Sequence, residues 1–82
     1  MTLVTLYGRP GCHLCDEARD TILALRDEGA GVRLREVNIE DDERLHTTYL
    51  ERIPVVEVDG VVVSELGLDG HVLRARLDTV RA

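Results

Sequence analysis

The chain has 82 residues, enough for one small domain over residues 1–82 and too few for two. Its 10 basic and 16 acidic residues give a net charge of −6, which argues against nucleic acid or an anionic membrane as a partner because phosphate groups require a basic surface. All ten basic residues are arginine, which excludes the Schiff-base chemistry of lysine, and no apolar run approaches the roughly 20 residues that span a bilayer.

The first half of the chain predicts a strand, a helix and a second strand. Apolar and polar side chains alternate over residues 2–7, and the Gly-Arg-Pro-Gly segment that follows interrupts this strand. Residues 12–28 follow a helical period, and Gly-Ala-Gly ends the helix. Residues 32–37 alternate again and are rich in β-branched side chains, as in a second strand. The buried face of the helix is predicted to contain Leu14, Ala18, Ile22 and Leu25.

An acidic run over residues 40–43 opens the second half of the chain. Four carboxylates in a row suggest a metal loop, but the glycine and the spaced ligands of a calcium-binding loop are absent. We therefore interpret the run as solvated charges at the start of a short helix, where the helix dipole favours negative charge. The buried side of that helix is predicted to consist of Leu45, Tyr49 and Leu50.

A hairpin and a last helix complete the predicted elements. Residues 53–58 and 61–63 flank Asp59-Gly60, the strongest short sequence pattern for a tight hairpin. Asp69 is expected to cap the last helix, whose buried face is predicted to contain Leu73, Leu77 and Val80. The order β-α-β-α-β-β-α predicts an α/β fold: a mixed four-stranded sheet, with a parallel crossover, an antiparallel hairpin and helices on both faces.

The two cysteines, Cys12 and Cys15, lie three residues apart where the first turn gives way to the first helix. The unpaired N–H groups and the positive dipole end of a helix start stabilise a thiolate, which is the nucleophile in disulfide exchange. We expect Cys12 at the exposed tip as the attacking thiol, with Cys15 one turn on and more buried as the resolving thiol. Arg9 and His13 add positive charge beside Cys12, which the acidic residues of the first turn oppose.

Two alternatives to this redox function remain open: a pair of inert buried thiols, and a metal or iron–sulfur binding module. A single C-x-x-C supplies two of the four ligands that structural zinc requires, and His13 follows Cys12 directly, so it points about 100° away on a helix. A metal site would therefore have to be shared between two chains. No basic leader precedes the first apolar stretch, so we expect a cytoplasmic protein whose thiols are kept reduced.

The chain resembles the glutaredoxin-like branch of the thioredoxin superfamily. The resemblance is carried by Leu-Tyr-Gly-Arg-Pro-Gly-Cys-His-Leu-Cys-Asp-Glu-Ala at residues 6–18 and Tyr-Leu-Glu-Arg-Ile-Pro-Val at residues 49–55, and it extends over nearly all 82 residues. It implies a thioredoxin-like fold and a thiol-disulfide oxidoreductase, with Cys12 and Cys15 as the catalytic pair. It also implies that Pro54 is a cis-proline opposite this pair and that the backbone of Ile53 pairs with an extended substrate.

The resemblance also bears on the substrates. True glutaredoxins cradle glutathione with a Thr-Val-Pro segment and a Gly-Gly pair, whereas this chain has Arg52-Ile53-Pro54 and, in place of the glycines, Ser64-Glu65. A side chain and a negative charge there should weaken the binding of anionic glutathione. Arg9, in contrast, matches a basic position that contacts a glutathione carboxylate. Arg52 itself has two open interpretations, a contact with an acidic substrate or an exposed residue at a helix end.

The expected site therefore consists of Cys12 and Cys15 as catalytic residues, with substrate contacts from Arg9, His13, Ile53 and Pro54. Tyr7 either touches substrate or packs at the end of its strand with its hydroxyl in water. The expected partners are protein or small-molecule disulfides and a thiol reductant: glutathione, another low-molecular-weight thiol or a reductase. We expect a monomer with no cofactor beyond the thiol donor.

Overall fold

The computed structural model describes residues 1–81, and the side chains of residues 1–79. Over these residues the chain forms four strands and three α-helices in the predicted order β-α-β-α-β-β-α. In chain order the elements are β1 (Thr2–Gly8), α1 (His13–Asp27), β2 (Val32–Asn38), a 3₁₀ turn (Ile39–Asp41), α2 (Glu43–Tyr49), β3 (Val55–Val58), β4 (Val61–Ser64) and α3 (Gly70–Arg81). No helix within residues 1–81 is long and apolar enough to cross a membrane.

The four strands form one mixed sheet in the order β2-β1-β3-β4. β1 runs parallel to β2 and antiparallel to β3, and β3 and β4 form the antiparallel hairpin. Tyr7, near the carboxyl end of β1, is paired with Val55, the first residue of β3. The segment that follows β1 and the segment that precedes β3 therefore lie at the same end of these two strands. The C-x-x-C and the Ile-Pro pair are thus at one end of the sheet.

Two clusters of buried side chains pack on the sheet, because successive residues of a strand point to opposite faces. In β1, for example, Leu6 belongs to the larger cluster and Tyr7 to the smaller one. The larger cluster lies between the sheet and helices α1 and α3, and it contains Val4, Leu6, Ala18, Ile22, Leu25, Val32, Val56, Val58, Leu73 and Leu77. Leu73 and Leu77 thus confirm the predicted face of α3, whereas the side chain of Val80 lies outside the described residues.

The smaller cluster lies at the end of the sheet where the C-x-x-C follows β1. Its fully buried members are Tyr7, Cys15, Ile39, Ile53 and Val55. Leu45 and Tyr49 of α2 pack against it, half-buried. Helices consequently cover both faces of the sheet, as predicted. Cys15 belongs to the smaller of the two clusters, and Cys12 packs against it.

Two leucines were assigned to buried faces and are exposed instead. Leu14 is 47% exposed, and Cys15, at 3%, takes its place on the face that continues through Ala18. The buried face of α1 begins at Cys15, and Leu14, one residue earlier, is rotated by about 100° away from Cys15. Leu50 is 37% exposed because α2 ends at Tyr49 and the next residue rotates by about 100° out of the cluster.

Turn and cap chemistry follow the sequence closely. Asp59 and Gly60 have φ values of 49° and 85°, the left-handed pair that a tight type I′ hairpin requires. Asp69 Oδ1 accepts a hydrogen bond of 2.8 Å from the His71 N–H at the start of α3. The acidic run is exposed, and its Asp42 caps α2 by accepting from the Arg44 N–H at 2.8 Å. The run therefore starts a helix, as interpreted from the sequence.

Candidate active site

A tight turn carries the chain from β1 into α1. The Cys12 N–H donates to the Arg9 carbonyl oxygen at 3.4 Å, and Gly11 has a φ of 78°. A proline followed by a residue of positive φ is the pattern of a type II turn, in which proline presets the first corner and glycine tolerates the second. The Pro10-Gly11 pair thus places Cys12 directly at the start of the helix.

Cys12 is the N-cap residue of α1. Its sulfur accepts a hydrogen bond from the Cys15 N–H at 3.2 Å, which is the bond that a polar N-cap side chain normally makes. The same sulfur is joined to Cys15 in a disulfide, with the two α-carbons 5.2 Å apart. Once the disulfide is reduced, this N–H and the positive end of the helix dipole both favour negative charge on Cys12.

The two sulfurs differ in access to solvent. Cys12 is half-buried, whereas Cys15 is only 3% exposed and lies in the smaller core cluster. The Cys12 sulfur is therefore the more accessible of the two. Cys15 is the more buried of the two, as expected, whereas the half-buried Cys12 is less prominent than the exposed tip that we expected.

Gly8, the last residue of β1, makes room for Cys15. A β-carbon added at Gly8 would lie 2.9 Å from the Cys15 Sγ and 3.1 Å from its Cβ, closer than real side chains approach. The absence of a side chain at this position therefore lets the start of α1 pack against the end of β1. In the sequence analysis Gly8 served only to interrupt the strand, so its contact with Cys15 is a finding of the structure.

The Ile-Pro pair forms the second wall of the site. Ile53 is 9% exposed and shares the smaller cluster with Cys15, while Cys12 packs against that cluster. Pro54 is fully buried, and the Ile53–Pro54 peptide bond is cis, as the resemblance implies. The structure thus brings Cys12, Cys15 and the Ile-Pro pair together.

The two charged candidates lie further out. Arg9 is exposed and borders a cleft of about 360 Å³ that Gly8, Cys15 and Asn38 also line. His13 extends into solvent with its side chain 86% exposed, and its Nε2 lies 3.7 Å from the Glu17 carboxylate. Arg9 therefore lies at the cleft that Cys15 also lines. His13 lies beside Glu17, an acidic residue one turn further along α1.

Tyr7 and Tyr49 lie between the two cysteines and the hairpin: both pack in or against the cluster that contains Cys15, and Tyr7 is hydrogen-bonded to Glu57 of β3. Their ring centroids are 5.0 Å apart at an angle of 38°, and the Tyr7 hydroxyl donates to Glu57 Oε1 at 3.0 Å. Burial, followed by this bond and the nearby Glu57 charge, raises the pKa of Tyr7. Tyr7 is therefore a packing residue, as in the second of its two interpretations, but its hydroxyl is bonded to Glu57 and not to water as that interpretation expected.

Arg52 also has an internal partner, which neither interpretation from the sequence included. Its guanidinium carbon lies 5.3 Å from the centre of the Tyr49 ring, and its Nε and Nη2 donate to the two carboxylate oxygens of Glu65, the first at 2.9 Å. The bonds raise the pKa of Arg52 and lower the pKa of Glu65. A sequence pattern for this pair exists, since opposite charges flank the two ends of the predicted hairpin.

Among the residues whose side chains are described, no three His, Cys, Asp or Glu side chains converge to hold a metal ion. Some polar groups beside the cleft are instead engaged in ion pairs within the chain. Arg19, for example, borders the cleft beside Cys15 and is paired with both Glu36 and Asp16.

Comparison with known proteins assigns the family. The model of the glutaredoxin-like domain (DUF836) matches residues 3–78. The solved structure of the target protein XcR50 from X. campestris is similar, with 35% identity over 93% of this chain and 96% of that one and a TM-score of 0.76. Protein Ne2328 from Nitrosomonas europaea has 30% identity over 92% of this chain and 89% of its own, also with a TM-score of 0.76.

A more distant likeness supports the fold alone. The oxidised thioredoxin from Plasmodium falciparum superimposes with a TM-score of 0.65 at 13% identity, over 99% of this chain and 82% of that one. No curated protein sequence matches the chain. The matched domain covers both the C-x-x-C and the Ile-Pro hairpin, and the thioredoxin comparison matches the mixed sheet described above. The chain belongs to the glutaredoxin-like domain family, and its fold is that of a thioredoxin.

Proposed function

We propose that this protein is a thiol-disulfide oxidoreductase in which Cys12 attacks and Cys15 resolves. The observation that carries the proposal is the placement of the Cys12 sulfur. It caps α1, accepts the Cys15 N–H at 3.2 Å and lies within bonding distance of a buried second cysteine. A thiolate held in this way is a nucleophile with its own resolving partner, which are the two requirements of dithiol exchange.

In the first step the Cys12 thiolate attacks one sulfur of a substrate disulfide. A bond forms between the Cys12 sulfur and that sulfur, the substrate S–S bond breaks, and the second substrate sulfur leaves as a thiolate that takes a proton from water. Cys15 then loses its proton and attacks the Cys12 sulfur, which releases the first substrate sulfur as a thiol. The substrate gains two electrons and two protons, and the Cys12–Cys15 disulfide is the oxidised product.

Two equivalents of a thiol, or a reductase, return the disulfide to the dithiol. We propose that the substrates are protein or small-molecule disulfides and that the protein acts as a cytoplasmic monomer. Ile53 supports the binding of an extended substrate in this proposal. Its N–H donates to the Tyr49 carbonyl oxygen at 3.0 Å, and Pro54 has no N–H, so the Ile53 carbonyl is the group that we propose accepts a hydrogen bond from the substrate backbone.

A redox titration of the purified protein tests this function. The protein is equilibrated with mixtures of reduced and oxidised dithiothreitol, and free thiols are counted by alkylation and mass spectrometry. We expect one reversible two-electron transition between the dithiol and the Cys12–Cys15 disulfide, and reduction of hydroxyethyl disulfide that depends on Cys12. Thiols that stay reduced under oxidising mixtures, or a metal-loaded protein that exchanges no disulfide, would contradict the proposal.

A further inference from the structure

The guanidinium group of Arg52 is already occupied by a carboxylate of the same chain. Two parallel N–H donors of an arginine match the two oxygens of a carboxylate, which makes arginine the preferred residue for recognising this group. In this protein both donors are bonded to Glu65. The guanidinium carbon also lies over the Tyr49 ring, 5.3 Å from its centre, which is a cation–π contact.

This ion pair lies beside the redox pair. Arg52 directly precedes Ile53, which shares the smaller core cluster with Cys15, and Tyr49 packs against the same cluster. The loop that carries Glu65 is fixed to Arg52 a second time, because the Leu66 N–H donates to the Arg52 carbonyl oxygen at 3.0 Å. Because Arg52 directly precedes Ile53, we expect a substrate held across Cys12 and Ile53 to come close to the Arg52–Glu65 pair.

We propose that Glu65 determines substrate specificity by occupying Arg52, so that disulfides with a carboxylate near the sulfur are excluded. This inference rests on the proposed function and names its substrate class: neutral or cationic disulfides and the thiols that correspond to them. A substrate carboxylate must compete with Glu65 for the guanidinium group of Arg52. Glu65 belongs to the same chain and its loop is bonded to the Arg52 backbone, so its effective concentration at Arg52 is high. A neutral substrate does not compete with Glu65 for Arg52, so the Arg52–Glu65 ion pair does not weaken the binding of a neutral substrate.

Three small disulfides of different charge test the inference: cystamine, hydroxyethyl disulfide and dithiodiglycolate, which carry positive, zero and negative charge. The reaction rate of each with the reduced protein is measured, and rates are expressed relative to hydroxyethyl disulfide. Comparing this ratio between variants cancels the intrinsic reactivity of each disulfide. We expect Glu65→Gln to raise the relative rate with dithiodiglycolate about tenfold.

The same substitution in an Arg52→Gln background separates recognition from repulsion. If Arg52 binds the substrate carboxylate, Glu65→Gln should no longer raise the relative rate with dithiodiglycolate once Arg52 is also replaced. The double variant Arg52→Gln/Glu65→Gln should then have the same relative rate as Arg52→Gln. A gain that persists without Arg52 would mean that Glu65 merely repels anions, which overturns the inference. Glu51→Gln is the matched control, because it removes the same charge from an exposed neighbouring position. A Glu51→Gln effect as large as that of Glu65→Gln would also overturn the inference.

A binding measurement keeps this inference separate from the proposed function. S-methylglutathione carries two carboxylates and cannot exchange disulfides, so its binding by calorimetry does not depend on redox chemistry. We expect at least tenfold tighter binding to Glu65→Gln than to the unchanged protein, with the increase lost in the double variant. Equal affinities for all variants would overturn the inference. Absence of Cys12-dependent exchange with hydroxyethyl disulfide would instead contradict the proposed function.

Discussion

Gly8 and Cys15 are in such close contact that a single added methyl group would lie 2.9 Å from the Cys15 sulfur. Gly8 ends the central strand, and Cys15 lies in the first turn of α1. The absence of a side chain at Gly8 therefore lets α1 approach the sheet. Its function is packing rather than backbone freedom, since Gly8 is absent from the residues with positive φ.

Replacing Gly8 with alanine is expected to destabilise the protein by about 1–3 kcal/mol, the usual cost of overpacking a filled site. Chemical denaturation measures the change. In a Cys15→Ala background the cost should fall, because the sulfur, the closer of the two atoms, is gone. Gly70→Ala is the matched control: its β-carbon would meet only the Thr21 methyl group at 3.2 Å. Equal losses for Gly8→Ala in both backgrounds would show that the sulfur contact is unimportant.

The unequal burial of the two sulfurs predicts different consequences for their removal. Cys12→Ser should abolish disulfide exchange, because the buried Cys15 is beyond the reach of a substrate. Cys15→Ser should still allow the first attack and then accumulate mixed disulfides, which non-reducing electrophoresis and mass spectrometry detect. Partners trapped from a lysate by Cys15→Ser would identify the substrate. Trapping by Cys12→Ser and none by Cys15→Ser would reverse the assigned roles.

The bond from Tyr7 to Glu57 predicts a pH-dependent contribution to stability. Tyr7→Phe should cost about 1 kcal/mol at pH 7, the usual net value of one hydrogen bond. Because the folded state raises the pKa of Tyr7 above its ordinary value of 10.0, the tyrosine contribution is complete below about pH 10. It should be lost as the pH rises through the raised value.

Urea denaturation of both proteins at several pH values measures this difference. The stability gap between the unchanged protein and Tyr7→Phe should be constant from neutral pH to about pH 9 and should narrow above pH 10. Tyr49→Phe serves as the control, since it removes a phenol but keeps the ring that lies 5.0 Å from Tyr7. A gap that widens with rising pH would contradict the direction of the Tyr7 pKa shift.

Leu66 predicts a stabilising substitution. Its φ of 62° is in the left-handed region and its side chain is 60% exposed, so the residue pays a backbone cost of about 1–2 kcal/mol with little burial in return. Leu66→Gly should raise the free energy of unfolding by up to about 1 kcal/mol, after the greater freedom of glycine in the unfolded chain is subtracted. Leu14→Gly is the control, because Leu14 is exposed to a similar extent within a helix and should lose stability.

Local patterns were enough to predict the elements. The Asp59-Gly60 turn, the Asp69 cap and the helical period through Ala18, Ile22 and Leu25 each depend on residues close in sequence, and each is confirmed. The C-x-x-C at a helix start belongs to the same class, since the strand, the turn and the cap are contiguous. Leu14 is the exception, because only the packing of α1 against β1 shows that the buried face begins at Cys15, about 100° around the helix from Leu14.

The sequence by itself determined the order of the elements, the turn chemistry and the helix-start position of Cys12, because these follow from interactions within about four residues. Only the tertiary structure decided which groups meet across the sheet. The contact of Gly8 with Cys15 and the occupation of Arg52 by Glu65 depend on how β1 packs against α1 and how the hairpin closes. Such contacts are fixed by packing in three dimensions, where shape and charge are satisfied jointly by residues that are distant along the chain.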